Sequence, residues 1–142
     1  MSTGKQADKD RVQSLFKTID ANRDQLIETT VDLLKIPTFN PPGDNYLEIC
    51  EHIETRLQPS GFETIKLRAE GALGDSDKYP RWNVIARHEG AQPGPCVHFN
   101  AHTDIVALGE GWTKDPFGED VEADRIYAVS YTHLRAHETL PY

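Results

Sequence analysis

The sequence predicts a layered α/β or α+β domain in which helices pack on a sheet. Apolar residues recur at helical spacing through residues 8–35 and again through residues 44–57. Three later segments, residues 62–68, 82–88 and 96–101, have the alternation or the apolar content of strands. The predicted order along the chain is therefore helix, helix, strand, strand, strand.

The first helical segment, residues 8–35, carries an apolar stripe on one face. Its members are Val12, Leu15, Phe16, Ile19, Leu26, Thr30, Leu33 and Leu34. Asn22 and Arg23 interrupt the middle of this stripe, so we expect a kink or a break into two helices there. Pro37 ends the helical pattern because it has no N–H and disfavours helix at the residue before it. Residues 37–44, "PTFNPPGD", are predicted to form a stiff loop.

The second helical segment begins at Asp44 or Asn45. Asn45 and Glu48 have the spacing of a capping box, although asparagine is not the usual first residue of that motif. The sequence "PSG" at residues 59–61 ends the helix. One face is apolar and consists of Tyr46, Ile49, Cys50, Ile53 and Leu57.

The three strand segments differ in their patterns. In residues 62–68, Ile65 and Leu67 alternate with polar residues and share one side. Residues 96–101, "CVHFNA", have no clean solvent face, so we predict a strand at the centre of the sheet, with His98 in the core. His102 then follows the carboxyl end of a central strand, which is where open α/β sheets bind ligands.

Composition and charge exclude several classes of partner. The chain has 142 residues, a net charge of −8, and 15 basic against 23 acidic residues, without a cluster of Lys or Arg. We therefore expect no nucleic-acid partner and no anionic membrane surface. No apolar stretch reaches the length of a bilayer span, and the N-terminus lacks the apolar region of a signal peptide. Cys50 and Cys96 are predicted to be reduced core residues, which indicates a cytoplasmic protein.

The pair His102 and Asp104 is the candidate site. A His-x-Asp pattern is a weak signal by itself, and taken alone it favours a strand end whose carboxylate lies in water. The chemical alternative is that the imidazole binds a divalent metal while the carboxylate fixes its tautomer and orientation.

The residues that follow His102 decide between these two interpretations. Residues 102–127, "HTDIVALGEGWTKDPFGEDVEADRIY", and residues 33–45, "LLKIPTFNPPGDN", resemble motifs of one family of zinc-dependent amidohydrolases and metallopeptidases. That family contains acetylornithine deacetylase, succinyl-diaminopimelate desuccinylase, aminoacylases and folate-cleaving carboxypeptidases. The resemblance covers about residues 10–127, with Ala107 standing where the family has proline. The matching positions of the second motif are His102, Asp104, Val106, Trp112, Asp115, Pro116, Phe117, Ile126 and Tyr127.

This resemblance implies a fold, a cofactor and a role for each candidate residue. Residues 1–128 would be the N-terminal part of a layered zinc-hydrolase catalytic domain, incomplete, with helices packed on a mixed and mainly parallel sheet. The family's site holds two zinc ions bridged by a water and an aspartate, and cobalt is an alternative metal. His102 matches a zinc ligand, and Asp104 matches the carboxylate that orients it and is counted as catalytic. The remaining metal ligands and the general base would lie outside the chain. Trp112 and Phe117 are expected to pack a loop.

The resemblance also implies a reaction. We expect hydrolysis of the amide bond of an N-acyl amino acid, as in the deacetylase and the desuccinylase, by a full-length protein that forms a homodimer through the family's smaller domain. A metallo-exopeptidase or dipeptidase acting on short peptides is the alternative within the family. An alternative of another class is that the chain itself is a catalytically inert fragment that binds metal weakly, because one ligand cannot make a three- or four-ligand zinc site.

The end of the chain departs from the family pattern. Residues 129–139, "VSYTHLRAHET", resemble the translation of a transposase adapter used in sequencing libraries. We therefore interpret residues 129–142 as a non-native tail and exclude them from the fold. His133 and His137 have the i, i+4 spacing of a zinc-binding pair, but this interpretation leaves them outside the metal site.

Overall fold

The helices lie within residues 3–60 and the short strands within residues 63–128. The structure is a computed structural model that describes residues 3–122 and 125–129. The helices and strands are α1 (Thr3–Ala21), α2 (Arg23–Leu34), α3 (Tyr46–Leu57), a 3₁₀ turn (Gln58–Ser60), β1 (Glu63–Arg68), β2 (Trp82–Arg87), β3 (Phe117–Glu122) and β4 (Arg125–Ala128).

The first helical segment breaks where the sequence predicted. α1 ends at Ala21 and α2 begins at Arg23, and the side-chain amide of Asn22 donates to the carbonyl oxygen of Thr18 at 2.7 Å. The apolar stripe of α1 lies exposed along its length, with Leu15 and Phe16 among its exposed members. Within the described part of the chain, no helix is both long enough and apolar enough to cross a membrane.

Helix α3 buries the apolar face that its spacing predicted. Ile49 and Cys50 are buried, and α3 packs mainly on β2. The predicted capping box is wrong, because Asn45 makes no side-chain capping bond and instead donates to the carbonyl oxygen of Pro37 at 2.9 Å. Gly61, with φ +81°, ends the helical segment at the predicted place.

Strands β1 and β2 form an antiparallel pair in which Ile65 lies opposite Ile85. The predicted alternation of β1 is confirmed, but its apolar side faces away from α3, and Ile65 is 59 % exposed. The polar side of β1 meets the helix instead, since Glu54 of α3 accepts hydrogen bonds from Thr64 at 2.7 Å and Lys66 at 2.8 Å. Helix α3 therefore covers one face of this sheet, and its contact with β1 is made by polar side chains.

The prediction of a mixed, mainly parallel sheet centred on residues 96–101 is wrong for the described residues. They contain two separate antiparallel pairs, β1–β2 and β3–β4, and residues 96–101 belong to no strand. A central strand needs hydrogen-bonding partners on both edges, and no described strand pairs with this segment. Its side chains are consequently exposed, Phe99 to 89 %. Cys96 and His98, which we expected in the core, are exposed as well.

Strands β3 and β4 form a hairpin that the sequence analysis missed. A register shift between Phe117 and Val121 breaks the period-two pattern that would have indicated a strand. β3 packs on α2, and Gly118, with φ +84°, permits that approach because a Cβ there would lie 2.9 Å from Cβ of Leu34. The rings of Phe117 and Phe39 pack edge to face with their centroids 5.9 Å apart, which agrees with the expected packing role of Phe117.

The predicted tail begins at a residue that packs against this hairpin. Val129 is buried, and its N–H donates to the carbonyl oxygen of Pro116 at 2.9 Å. Val129 is therefore part of the fold, and the interpretation of residues 129–142 as a non-native tail stays a prediction. Residues 130–142, including His133 and His137, lie outside the described residues.

The loop between β1 and β2 is organised by one carboxylate. Asp75, whose side chain is 4 % exposed, accepts hydrogen bonds from Arg68 at 3.1 and 3.3 Å, from the Arg81 N–H at 2.9 Å and from the Gly71 N–H at 3.1 Å. The bonds from Arg68, followed by that from the Arg81 N–H, lower the pKa of Asp75 to about 2. The carboxylate thus ties both ends of the loop together.

We expect Asp75→Asn to lower the melting temperature at neutral pH, since the neutral amide is a weaker acceptor and brings its own N–H groups against these donors. The folded-state pKa lies below the ordinary value of 3.8, so the stabilisation is present above pH 3.8 and is lost as the pH falls towards 2. The difference in melting temperature between wild type and variant should therefore shrink over that range.

Asp77→Asn is the matched control, because Asp77 is solvent-exposed and contacts the same arginine at 3.3 Å. A surface ion pair of this kind contributes little. Equal melting temperatures for the two variants at neutral pH would contradict the role assigned to Asp75.

Candidate functional site

A parallel contact between two distant segments builds the site. The N–H of Ile105 donates to the carbonyl oxygen of Thr38 at 3.0 Å, and the N–H of Asn40 donates to that of Ile105 at 2.8 Å. The hydroxyl of Thr38, which is 1 % exposed, donates to the carbonyl oxygen of Thr103 at 2.5 Å. The loop after α2 therefore holds residues 103–105 in place.

This contact places the two predicted site residues against each other. Nδ1 of His102 lies 3.0 Å from Oδ1 of Asp104 and 3.0 Å from the Asp104 carbonyl oxygen. Both oxygens act as acceptors, so Nδ1 carries the hydrogen, and in the neutral ring Nε2 keeps its lone pair. The imidazole is 64 % exposed, so Nε2 belongs to a solvent-accessible side chain.

Two further residues join the pair and were missed by the sequence analysis as site residues. The side-chain amide of Asn40 donates to Oδ2 of Asp104 at 2.8 Å, and Nη1 of Arg81 donates to Oδ1 of Asn40 at 3.1 Å. Asn40 lies in the predicted stiff loop, but 64 residues separate it from Asp104. No local pattern in the sequence reveals such a contact. The Asn-Pro-Pro-Gly motif was the one sequence feature that could have indicated Asn40 as a site residue.

The surroundings keep Asp104 ionised. The hydrogen bond from Asn40, with a smaller contribution from His102, lowers the pKa of Asp104 against the opposing effect of burial. Tyr46 lies beside the carboxylate, and burial, followed by the charge of Asp104, raises the pKa of its hydroxyl. The guanidinium of Arg81 lies 5.1 Å from the centre of the Tyr46 ring. At neutral pH the site therefore contains a carboxylate, a neutral phenol and a guanidinium.

The described residues fit one position of a metal site. An exposed imidazole whose Nδ1–H is held by a carboxylate is the usual arrangement of a zinc-binding histidine. Zinc sites in proteins use three or four protein ligands, however, and residues 3–122 and 125–129 contain no group of three or more His, Cys, Asp or Glu side chains placed to hold a metal. His102 can supply one ligand, with Asp104 orienting it.

The chain is similar in sequence to several curated succinyl-diaminopimelate desuccinylases. It is 42 % identical to the enzyme of Gluconobacter oxydans over 104 residues, which are 73 % of this chain and 25 % of that protein. It is 34 % identical to the enzyme of Rhodospirillum rubrum over 89 residues, or 63 % of this chain and 20 % of the relative. It is 31 % identical to the enzyme of Dinoroseobacter shibae over 112 residues, or 78 % and 26 %.

These relatives support the predicted relationship to the amidohydrolases, since succinyl-diaminopimelate desuccinylase is one of the enzymes whose motifs the chain resembles. The chain spans about a quarter of the length of the curated relatives it matches. No family model matches the chain, and no solved structure matches it.

We expect Thr38→Val to destabilise the protein by about 1–3 kcal/mol, because valine keeps the shape of threonine but leaves the Thr103 carbonyl without its donor. Urea unfolding monitored by circular dichroism measures the change. Thr55→Val is the control, since Thr55 is exposed on α3 and donates only to the Glu51 carbonyl at 2.9 Å; it should change stability by about 0.5 kcal/mol or less. Equal losses in the two variants would contradict the clamping role of Thr38.

Proposed function

We propose that this chain belongs to a metal-dependent hydrolase that cleaves the amide bond of an N-acyl amino acid, with N-succinyl-diaminopimelate as the first candidate substrate. The observation that carries the proposal is the contact between His102 Nδ1 and Asp104 Oδ1 at 3.0 Å. The names of the similar proteins support the choice of a succinylated substrate.

In this proposal His102 is a metal ligand through Nε2, and the metal is zinc, two ions per site, with cobalt as a substitute. Bound zinc lowers the pKa of a water molecule and polarises an amide carbonyl. The chain itself orients the ligand: Asp104 accepts the Nδ1–H, which fixes the tautomer and makes the imidazole a better electron donor. Asp104 therefore acts on the site through His102.

For the 142 residues by themselves we propose weak metal binding and no turnover. The observation that favours this is the ligand count, since His102 is one ligand and the described residues contain no group of three or more His, Cys, Asp or Glu side chains that could hold a metal. A homodimer of the whole protein remains a prediction, as does the distinction between a deacylase and a peptidase.

A chimera tests the proposed activity. In the Gluconobacter oxydans desuccinylase, the matched segment would be replaced by the 104 corresponding residues of this chain. We expect the chimera to hydrolyse N-succinyl-diaminopimelate and to bind zinc. Within it, His102→Ala should abolish turnover and lower the zinc content, because a ligand is lost. Asp104→Ala should retain zinc with about 10–100-fold lower affinity or activity.

His98→Ala is the matched control, since His98 is exposed and lies four residues before His102. It should leave both turnover and zinc content unchanged. A folded chimera that binds zinc but cleaves no N-acyl amino acid would contradict the proposed activity. Full activity and zinc content in the His102→Ala chimera would contradict the assignment of the ligand.

A further inference from the structure

The orientation of the Asn40 amide is determined by its two neighbours. Arg81 can only donate hydrogen bonds, and the Asp104 carboxylate can only accept them. Oδ1 of Asn40 must therefore face Arg81, at 3.1 Å, and Nδ2 must face Asp104, at 2.8 Å. The amide thus joins a guanidinium to a carboxylate through one accepted and one donated hydrogen bond.

Arg81 is held in place from several sides. Its main-chain N–H donates to Asp75 at 2.9 Å. Its guanidinium lies between two glycines with positive φ, and a Cβ added at either Gly43 or Gly74 would lie 2.4 Å from one of its terminal nitrogens. The Tyr46 ring also lies beside the guanidinium. The loop after α2 and the loop between β1 and β2 therefore fix the position from which Arg81 donates to Asn40.

Asp104 divides its two oxygens between two partners. Asn40 donates to Oδ2, and His102 donates to Oδ1. We propose that Asn40 and Arg81 are positioning residues: Arg81 fixes the Asn40 amide, and Asn40 turns the Asp104 carboxylate so that Oδ1 faces Nδ1 of His102. The catalytic consequence rests on the proposed function, because it requires His102 to act as a ligand through Nε2.

The tautomer of His102 reports this role without metal or substrate. A carboxylate held towards Nδ1 favours the Nδ1–H form of the neutral ring. A merely structural role of Asn40 would change stability but not the ratio of the two tautomers. Long-range ¹H–¹⁵N correlation spectra of the 142-residue chain labelled with ¹⁵N-histidine, recorded at a pH where the ring is neutral, give that ratio directly.

We expect Asn40→Ala to lower the ratio of the Nδ1–H to the Nε2–H form of His102 by about threefold, the effect of one net hydrogen bond on a two-state equilibrium. Asn40→Asp is the second variant, because it keeps the shape and the acceptor for Arg81 but replaces the donor to Asp104 with a carboxylate. It should lower the ratio in the same direction.

Asn45→Gly is the matched control for damage to the loop. It removes a side-chain hydrogen bond from the same loop, to Pro37, and keeps a residue that accepts the φ of +57° at that position. The tautomer ratio should stay at its wild-type value. An equal shift in Asn45→Gly, or none in both Asn40 variants, would overturn the proposal. So would a loss of folding in both Asn40 variants while Asn45→Gly stays folded, because Asn40 would then be a structural residue.

Arg81 is tested through the same spectra. Arg81→Met removes the donor to Asn40 and should lower the tautomer ratio, whereas Arg81→Lys retains a charged donor and should restore part of it. A wild-type ratio in Arg81→Met would exclude Arg81 from the positioning role. If the variants shift the tautomer ratio of His102 but the chimera is inactive, only the proposed function is contradicted. If the ratio is unchanged and the chimera is active, only the positioning role of Asn40 and Arg81 is contradicted.

Discussion

The parallel pairing of residues 38–40 with residues 103–105 is the contact on which the site depends. It joins a loop stiffened by prolines to the segment that carries His102 and Asp104, across more than sixty residues of sequence. The buried hydroxyl of Thr38 reinforces it at one end, and the amide of Asn40 extends it to the Asp104 carboxylate at the other. Among the described residues, the backbone hydrogen bonds of this pairing are the ones that tie residues 102–105 to the rest of the fold.

The loop between β1 and β2 supports the loop after α2 through charged side chains. Asp75 gathers Arg68 and the main chain of Arg81, and Arg81 then reaches Asn40. Arg81 and Asp104 have opposite charges and are linked through the neutral amide of Asn40. The amide oxygen accepts a hydrogen bond from Arg81, and the amide N–H donates one to Asp104. Glycines at the two contact points allow the loops to approach the guanidinium closely. The site is therefore built mainly from loops, and the hydrogen bonds between them take the place of packing in an apolar core.

Much of the local structure could be predicted from the sequence, and the non-local part could not. The break at Asn22, the buried face of α3 and the alternation of β1 follow from spacing and residue type within a few neighbours. Residues 96–101 have the composition of a central strand, but whether they form one depends on partner strands, and no local pattern specifies those. The pair His102 and Asp104 was identifiable from a motif, whereas the contact from Asn40 depends on how two loops meet. The side of β1 that faces α3 carries Thr64 and Lys66, and their common partner, Glu54, again lies outside the strand.

Amide hydrogen exchange of the 142-residue chain tests the central contact most directly. The N–H groups of Ile105 and Asn40 donate across the pairing, whereas those of residues 97–99 lie in an exposed segment that belongs to no strand. The account predicts that the amides of Ile105 and Asn40 exchange more slowly than those of residues 97–99, by at least about tenfold, and that Thr38→Val removes much of this difference. Exchange of the Ile105 amide at the rate of residues 97–99 in the wild-type protein would contradict the account, because the segment that carries His102 and Asp104 would then not be held.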